Sequence, residues 1–142
     1  MSILPIFIPH AGCPHQCVFC NQKKISGQHS AALASAKEQL VRWRSWLQPS
    51  AANEAAFYGG SFTGLPLELQ EELLALTDAL LAEGFIGSVR LSTRPDYINE
   101  ERLQLLQQHG VRLVELGVQS LDDRVLAAAE RGHTAAQVAP AV

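Results

Sequence analysis

The sequence lacks long apolar runs, a basic leader and an excess of basic residues. Its 142 residues contain no apolar stretch close to the length of a membrane helix, and the chain begins with a short strand-like stretch at residues 3–8. The net charge of −3 and the pI near 5.9 give no electrostatic reason to expect a nucleic-acid-binding surface in this segment. We therefore expect a cytoplasmic protein without a membrane partner.

Cysteine is absent from the chain except in one short segment. All three cysteines, Cys13, Cys17 and Cys20, fall within that segment. An odd number of cysteines packed so closely cannot form a complete set of disulfides, and in a cytosolic chain such clustering indicates metal binding or redox chemistry. The sequence also has no second, distant pair of cysteines of the kind that zinc sites usually use.

A glycine-rich phosphate-binding loop is missing after the first predicted strand, which argues against a nucleotide-binding oxidoreductase with an open sheet. Instead, strand and helix patterns alternate at intervals of roughly 30 residues. The predicted strands are 3–8, 55–58, 86–92 and 111–118; the predicted helices are 30–47, 66–83, a segment between an Asn99 cap and Gly110, and a segment from an Asp122 cap through Glu130. Residues 135–142 carry too little signal to place.

This alternation predicts an α/β fold with a parallel sheet and right-handed crossovers. Two closures are compatible with it, an open doubly wound sheet or an incomplete (β/α) barrel. Four strand–helix units cannot close a full barrel, because the eightfold form needs about 250 residues. In both closures ligands bind at the carboxyl ends of the strands, so the residues that follow each strand are the candidates for a site.

Side-chain alternation divides the last two predicted strands into an apolar face, expected to pack on helices, and a polar face, expected to point into the interior. The apolar face comprises Val89, Leu91, Val114, Leu116 and Val118, and the polar face comprises Arg90, Ser92, Glu115, Gly117 and Gln119. A buried carboxylate needs a cation or hydrogen-bond donors, so Arg90 is a candidate partner for Glu115. Glu115 is therefore either a ligand-binding residue or half of a structural ion pair.

The cysteines follow the first predicted strand with the spacing C-x3-C-x2-C. Three thiolates on one tight loop can hold three irons of a 4Fe–4S cluster, and the fourth iron is then left without a protein ligand. The alternative is a structural zinc site in which His10 or His15 is the fourth ligand. A buried trio of free cysteines is less favoured, because the surrounding residues are polar and include a proline.

The cysteine motif resembles the signature of the radical S-adenosylmethionine (radical SAM) superfamily, C-x3-C-x-aromatic-C after the first barrel strand, with Phe19 at the aromatic position. The resemblance implies a 4Fe–4S cluster on Cys13, Cys17 and Cys20. It also implies that the amino and carboxylate groups of S-adenosylmethionine chelate the fourth iron, and that Phe19 packs near the adenine.

Later motifs are similar to the branch that contains the Elongator catalytic subunit and oxygen-independent coproporphyrinogen oxidase. They are Gly59-Gly60-Ser61-Phe62, in place of the more common Gly-Gly-Glu, Thr93-Arg94-Pro95-Asp96, Glu115-x-Gly117-x-Gln119-Ser120, and Arg131-Gly132-His133-Thr134. The resemblance implies that Gly59, Gly60 and Ser61 receive the methionine ammonium and that Gln119 contacts the nucleoside. Arg94 and Glu115 are further candidates for cofactor binding.

Simpler interpretations remain open for two of these segments. Gly59 and Gly60 also fit a tight turn into a helix. Arg94 and Asp96 also fit an ion pair in a surface turn. No role for Arg131 through Thr134 follows from the residues alone.

The resemblance implies that residues 1–142 form the first four βα units of a partial (β/α)6 barrel, the N-terminal part of a radical SAM core that ends before the last strands. It implies reductive cleavage of S-adenosylmethionine to a 5′-deoxyadenosyl radical that abstracts hydrogen from a substrate. The expected electron donor is a flavodoxin- or ferredoxin-like protein, and the substrate is unidentified, with RNA or an acyl group as candidates. The alternative is a truncated, non-catalytic segment that binds iron–sulfur or zinc.

Overall fold

A computed structural model describes residues 2–8, 13, 15, 17–20 and 29–142 of the chain. Its strands are β1 (Ile3–Phe7), β2 (Glu54–Tyr58), β3 (Ser88–Thr93) and β4 (Val111–Leu116), and its α-helices are α1 (His29–Trp46), α2 (Leu67–Ala82), α3 (Glu100–Gln108) and α4 (Asp123–Ala128). Short 3-10 turns occupy Phe62–Gly64, Pro95–Tyr97, Ala135–Gln137 and Ala139–Ala141. His10, one of the two candidate zinc ligands, lies outside the described residues.

The four strands form one parallel sheet in the order β1-β2-β3-β4. Right-handed crossovers between strands in sequential order place every helix on the same face of the sheet, whereas a doubly wound sheet reverses the order at a switch point. In agreement, α1 packs beside α2 and α2 beside α3. The predicted α/β fold is confirmed, and the strand order selects the incomplete barrel over the open doubly wound sheet.

The core lies between the sheet and this helical layer. It is built from alternate strand residues and from one side of α1, α2 and α3, including Leu4, Ile6, Ala55, Phe57, Val89, Leu91, Leu40, Leu73 and Leu106. The prediction that Val89 and Leu91 face the helices is therefore confirmed. Helical spacing in the sequence predicts that α2 buries a stripe of leucines, Leu69, Leu73, Leu76 and Leu80. In the structure Leu76 is only partly buried, and Leu74, outside this stripe, is fully buried.

The predicted helix caps are confirmed by their hydrogen bonds. The Asn99 side chain accepts from the Arg102 amide at the start of α3, and the Asp122 side chain accepts from the Arg124 amide at the start of α4. Gly110 ends the α3 segment with φ of +71°, a left-handed conformation that favours glycine.

Each strand differs from its predicted range by one or two residues, and the largest differences are at β3 and β4. Ile86 is buried in the core but lies before β3, and β3 continues through Thr93. β4 ends at Leu116, so Gly117 and Val118 form the connection that follows it. Among the described residues, no helix combines the length and the hydropathy that crossing a membrane requires.

Candidate active site

A cleft of about 350 Å³ opens at the carboxyl ends of the strands. We call it the strand-end cleft. Its lining includes the predicted site residues Cys13, Gly60, Arg94, Glu115 and Gln119, together with Ser92, Thr93, Leu116, Gly117 and Arg131. Residues that follow all four strands therefore meet at one place, as expected for a parallel α/β fold.

Three buried hydroxyl groups lie beneath the strand-end cleft. Thr93 Oγ1 is 2.9 Å from Ser61 Oγ and 2.5 Å from Thr63 Oγ1, and Ser61 Oγ also accepts from the Arg94 amide at 3.3 Å. All three side chains are buried. The Ser61 hydroxyl is thus engaged within the protein, and its contact with a methionine ammonium stays a prediction.

Gly59 has a packing role that requires glycine. Its φ is +101°, and a Cβ there would lie 2.7 Å from the Ile8 carbonyl oxygen and would collide with the Phe7 ring. The turn after β2 therefore lies tightly against the end of β1. Gly60, the next residue, is the one that lines the strand-end cleft.

Arg94 is held rigidly in the wall of the cleft, with only 2% of the residue exposed. Its Nε and Nη2 atoms donate to the two Asp96 carboxylate oxygens at 2.9 and 2.8 Å, and Nη1 donates to the Arg131 carbonyl at 2.6 Å. Burial by itself raises the pKa of the Asp96 carboxyl, but the hydrogen bonds and charge of Arg94 outweigh it and hold that pKa below its usual value. The predicted Arg94–Asp96 pair exists, and it is buried instead of lying in a surface turn.

Glu115 forms an ion pair and also lines the cleft, so its role in ligand binding stays a prediction. Its Oε1 lies 3.1 Å from Arg90 Nη2, and its Oε2 accepts from Ser92 Oγ at 2.9 Å. Arg90 also approaches Glu54 at 3.5 Å. The predicted Arg90–Glu115 pair is confirmed, and the Glu115 side chain keeps 44% of its surface exposed where it lines the cleft.

Leu116 lines the cleft as well, although alternation assigns it to the opposite face of β4. The strand ends at this residue, and alternation places side chains only within a regular strand. Gln119, two residues beyond Gly117, adopts a left-handed conformation with φ of 70° and also lines the cleft.

The three cysteines lie beside the strand-end cleft as free thiols. The Cys20 amide donates to the Cys17 carbonyl at 2.9 Å, which closes a tight turn, and the Val18 amide donates to the Ala129 carbonyl just after α4 at 3.1 Å. Cys17 is buried, whereas Cys13 and Cys20 are half-buried. The segment is therefore anchored to the end of α4.

The Cys13 thiol is affected by burial and by nearby charges. Burial raises the pKa of the Cys13 thiol; the charges of Arg94 and Arg131 oppose this rise, and the neighbouring Cys17 and Cys20 add to it. Within the part of the chain that the structure describes, no three His, Cys, Asp or Glu side chains converge as they would on a single metal ion. Three cysteines near two guanidinium groups are a donor set that fits an anionic iron–sulfur cluster, which cysteines bind as thiolates.

Phe19 and His15, both named in the sequence prediction, do not line the strand-end cleft. Phe19 is 59% exposed and is not among the residues that line the cleft. His15 lines a different cleft with Gly132 and His133, and a Cβ at Gly132 would collide with its ring. This position does not favour His15 as a fourth zinc ligand.

Arg131 is the main site residue that sequence reasoning missed. It is buried, its Nη1 donates to Cys17 Sγ at 3.4 Å, and its Nη2 donates to the Gly117 carbonyl at 2.5 Å. It belongs to the Arg-Gly-His-Thr motif, and this motif was the feature of the sequence that could have identified Arg131 as a site residue. Because 114 residues separate it from Cys17, no local pattern could indicate the contact.

The fold and the site define an α/β protein with a partial parallel barrel, a ligand cleft at the strand ends and three thiols beside that cleft. The family model of the radical SAM superfamily matches residues 7–142. The chain therefore belongs to the radical SAM superfamily.

Several relatives share stretches of the chain. It is 28% identical over 143 aligned residues to the uncharacterized protein MJ0486 of Methanocaldococcus jannaschii, covering 92% of this chain and 44% of that protein. It is 30% identical over 103 residues to Elongator complex protein 3 of Saccharomyces cerevisiae, covering 60% of this chain and 18% of that protein. It is 43% identical over 51 residues to the tRNA uridine(34) acetyltransferase of Dehalococcoides mccartyi, covering 36% of this chain and 11% of that protein.

The fold also matches a solved structure, that of Elp3 from Methanocaldococcus infernus with its N-terminus deleted. The TM-score is 0.63 at 19% identity, over 99% of this chain and 34% of the other. This likeness concerns the fold alone. The chain spans less than half the length of each of these proteins.

Proposed function

We propose that this chain is the N-terminal part of a radical SAM enzyme core, with a 4Fe–4S cluster on Cys13, Cys17 and Cys20 and S-adenosylmethionine in the strand-end cleft. The observation that carries the proposal is that Cys13 and the residues at the ends of β2, β3 and β4 line one cleft. When bound, the reduced cluster supplies the electron that cleaves S-adenosylmethionine to methionine and a 5′-deoxyadenosyl radical, which then abstracts hydrogen from a substrate.

The residues of the chain would bind and orient the cofactor. The bare backbone at Gly60 lets a ligand approach closely, and the Glu115 and Gln119 side chains offer acceptors and donors at the end of β4. Arg94 is held in the wall by its bidentate contact with Asp96. Polar groups held in this way by the protein would orient a bound cofactor.

For the substrate we propose an RNA, with a tRNA as the specific case, because one similar protein bears the name tRNA uridine(34) acetyltransferase. For the reductant we propose a flavodoxin- or ferredoxin-like protein in the cytoplasm. These two assignments rest on similarity over short stretches of the relatives and on the family, not on the cleft itself.

The test is made on anaerobically reconstituted protein, in which iron, sulfide and zinc are measured before S-adenosylmethionine and dithionite are added. We expect about four irons per chain and release of 5′-deoxyadenosine. Cys17→Ala should lose both, while Ser45→Ala, an exposed position on α1, should lose neither.

The outcomes separate the proposal from its alternatives. A cluster without 5′-deoxyadenosine would indicate an iron–sulfur segment that binds but does not turn over. One zinc per chain and no sulfide would contradict the proposal and favour the structural zinc site.

A further inference from the structure

Arg131 is a buried cation in the strand-end cleft for which the proposed function provides no role. Only 8% of the residue is exposed. Arg94 has the Asp96 carboxylate as its counter-ion, but among the described residues no carboxylate lies within ion-pair distance of Arg131. A buried charge without a counter-ion is costly, so its other partners must compensate.

The partners of Arg131 come from distant parts of the chain. Nη2 donates to the Gly117 carbonyl just after β4 at 2.5 Å, and Nη1 donates to Cys17 Sγ at 3.4 Å. The Arg131 carbonyl accepts from Arg94 Nη1 at 2.6 Å. A Cβ on Gly117 would lie 2.8 Å from Nη2, so the absence of a side chain there makes room for the guanidinium.

We propose that Arg131 is a positioning residue for the iron–sulfur cluster: it holds Cys17 against the end of β4 and, through its hydrogen bond to the sulfur, raises the reduction potential of the cluster. The inference rests on the proposed function, because it needs a cluster on Cys17. Hydrogen bonds to the sulfurs tune the potential of such clusters, and a positive charge favours the form with one more electron. In a buried site this effect is weakly screened by solvent.

The shape of the side chain matters as well as its charge. The planar guanidinium donates in two directions at once, here to a sulfur and to a carbonyl oxygen. A lysine carries the same charge as a single ammonium on a flexible stem and does not reproduce this fork. Arg131→Lys should therefore lose part of the effect, and Arg131→Gln, which is uncharged, should lose more.

The experiment is an equilibrium redox titration of the reconstituted protein, followed by the electron paramagnetic resonance signal of the reduced cluster. Dithionite is the electron donor; each reduced cluster gains one electron, dithionite is oxidised, and no bond in the protein forms or breaks. The matched control is Arg124→Gln, which removes the same charge from α4, where 91% of the side chain is exposed.

We expect the midpoint potential of Arg131→Gln to shift below that of the wild type, with Arg131→Lys between them and Arg124→Gln at the wild-type value. Equal potentials for Arg131→Gln and Arg124→Gln would overturn the inference. If Arg131→Gln folds but takes up no iron, the positioning role is supported. Arg131→Lys then tests the effect on the reduction potential, and a wild-type midpoint potential in that variant would overturn the claim that Arg131 raises it. Failure of the proposed function would give a different result, because the wild type itself would then hold no cluster.

Discussion

At the scale of single residues, the chain contains two Arg–Asp pairs of similar covalent spacing in opposite environments. Arg94 and Asp96 form a bidentate pair in the cleft wall, where 2% and 13% of the side chains are exposed. Arg124 and Asp122 form a comparable pair on the surface, where 91% and 41% are exposed. The two pairs have the same charges and the same sequence separation, and their largest difference is burial.

We predict that Asp96→Asn destabilises the protein by about 3 kcal/mol, because it leaves the Arg94 charge buried without a counter-ion. Asp122→Asn should change stability little, since water screens the surface pair and asparagine also caps a helix. Urea denaturation at neutral pH measures both. Equal effects of the two substitutions would show that burial does not decide the strength of these pairs.

The same pair predicts acid sensitivity. Because the pKa of Asp96 is lower in the folded protein than in the unfolded chain, its stabilisation is complete above the usual carboxyl pKa of about 4 and is lost as the pH falls through the folded value. The Asp96→Asn protein should therefore lose less stability than the wild type over that acid range.

His133 predicts a second pH dependence, near neutrality. Burial lowers its pKa, as do the charges of Arg131 and Arg94, against a smaller opposing effect of Asp96. The unfolded chain therefore takes up the proton first, at about pH 6.5, and stability falls from there towards the folded pKa. His133→Gln keeps a donor for the Val118 carbonyl but does not titrate, so its free energy of unfolding should vary less between about pH 7 and 5. Urea denaturation across this range measures it, and equal slopes would contradict the role of His133.

At the scale of the elements, sequence pattern was enough for strands, helices, caps and one pair between neighbouring strands, but not for most contacts between distant segments. Alternation placed Val89 and Leu91 on the helix side, and the chemistry of a buried carboxylate paired Glu115 with Arg90. The turn after β2 and the cluster around Thr93 depend on packing between elements, so the roles of Gly59 and Ser61 could not be read from the residues. The ends of the strands also differ by a residue or two from the predicted ends, because strand ends depend on pairing with neighbouring strands.

One such contact covers the free edge of β1. The Gln39 amide on α1 accepts from the Phe7 amide at 2.7 Å and donates to the Phe7 carbonyl at 3.0 Å, as a neighbouring strand would. Trp43 Nε1 donates to the Pro5 carbonyl at 2.8 Å, and proline has no amide hydrogen to leave unpaired. Helix side chains therefore satisfy this edge of the sheet, which protects it from pairing with another chain.

We predict that Gln39→Ala lowers the free energy of unfolding by about 1 kcal/mol, since two backbone groups lose a partner but gain access to water. It should also increase self-association, measured by light scattering against protein concentration. Glu38→Ala is the matched control, because Glu38 is the preceding, exposed residue of α1. If both variants behave alike, the amide of Gln39 does not protect the edge.

At the scale of the whole molecule, the chain presents two different faces of one sheet. The helix side is closed by the core, and the other side carries the Glu54–Arg90–Glu115 ion network and half-exposed Ile3, Phe7 and Leu113. In a (β/α) barrel, this face of the sheet is the one that points to the barrel interior. A ligand that contacts both the strand ends and the cysteine segment should therefore stabilise the whole fold, and a measurement of Tm detects this.

We predict that S-adenosylmethionine stabilises the reconstituted protein much more than the iron-free protein. A ligand at a hundred times its dissociation constant stabilises the folded state by about 2.7 kcal/mol, which for a domain of this size raises Tm by about 10 °C. The strand-end cleft has polar groups of its own, among them Arg94, Glu115 and Gln119, so any shift in the iron-free protein measures what the cleft alone contributes. The difference between the two shifts measures what the cluster adds.

Glu115→Gln separates these two contributions. It removes a charge that lines the cleft and lies 3.1 Å from Arg90, but it leaves the cysteines unchanged. The variant should therefore take up iron as the wild type does and show a smaller thermal shift with S-adenosylmethionine. A full wild-type shift would mean that Glu115 serves only the ion pair with Arg90. An equal shift with and without iron in the wild type would mean that the cofactor binds the cleft independently of the cluster.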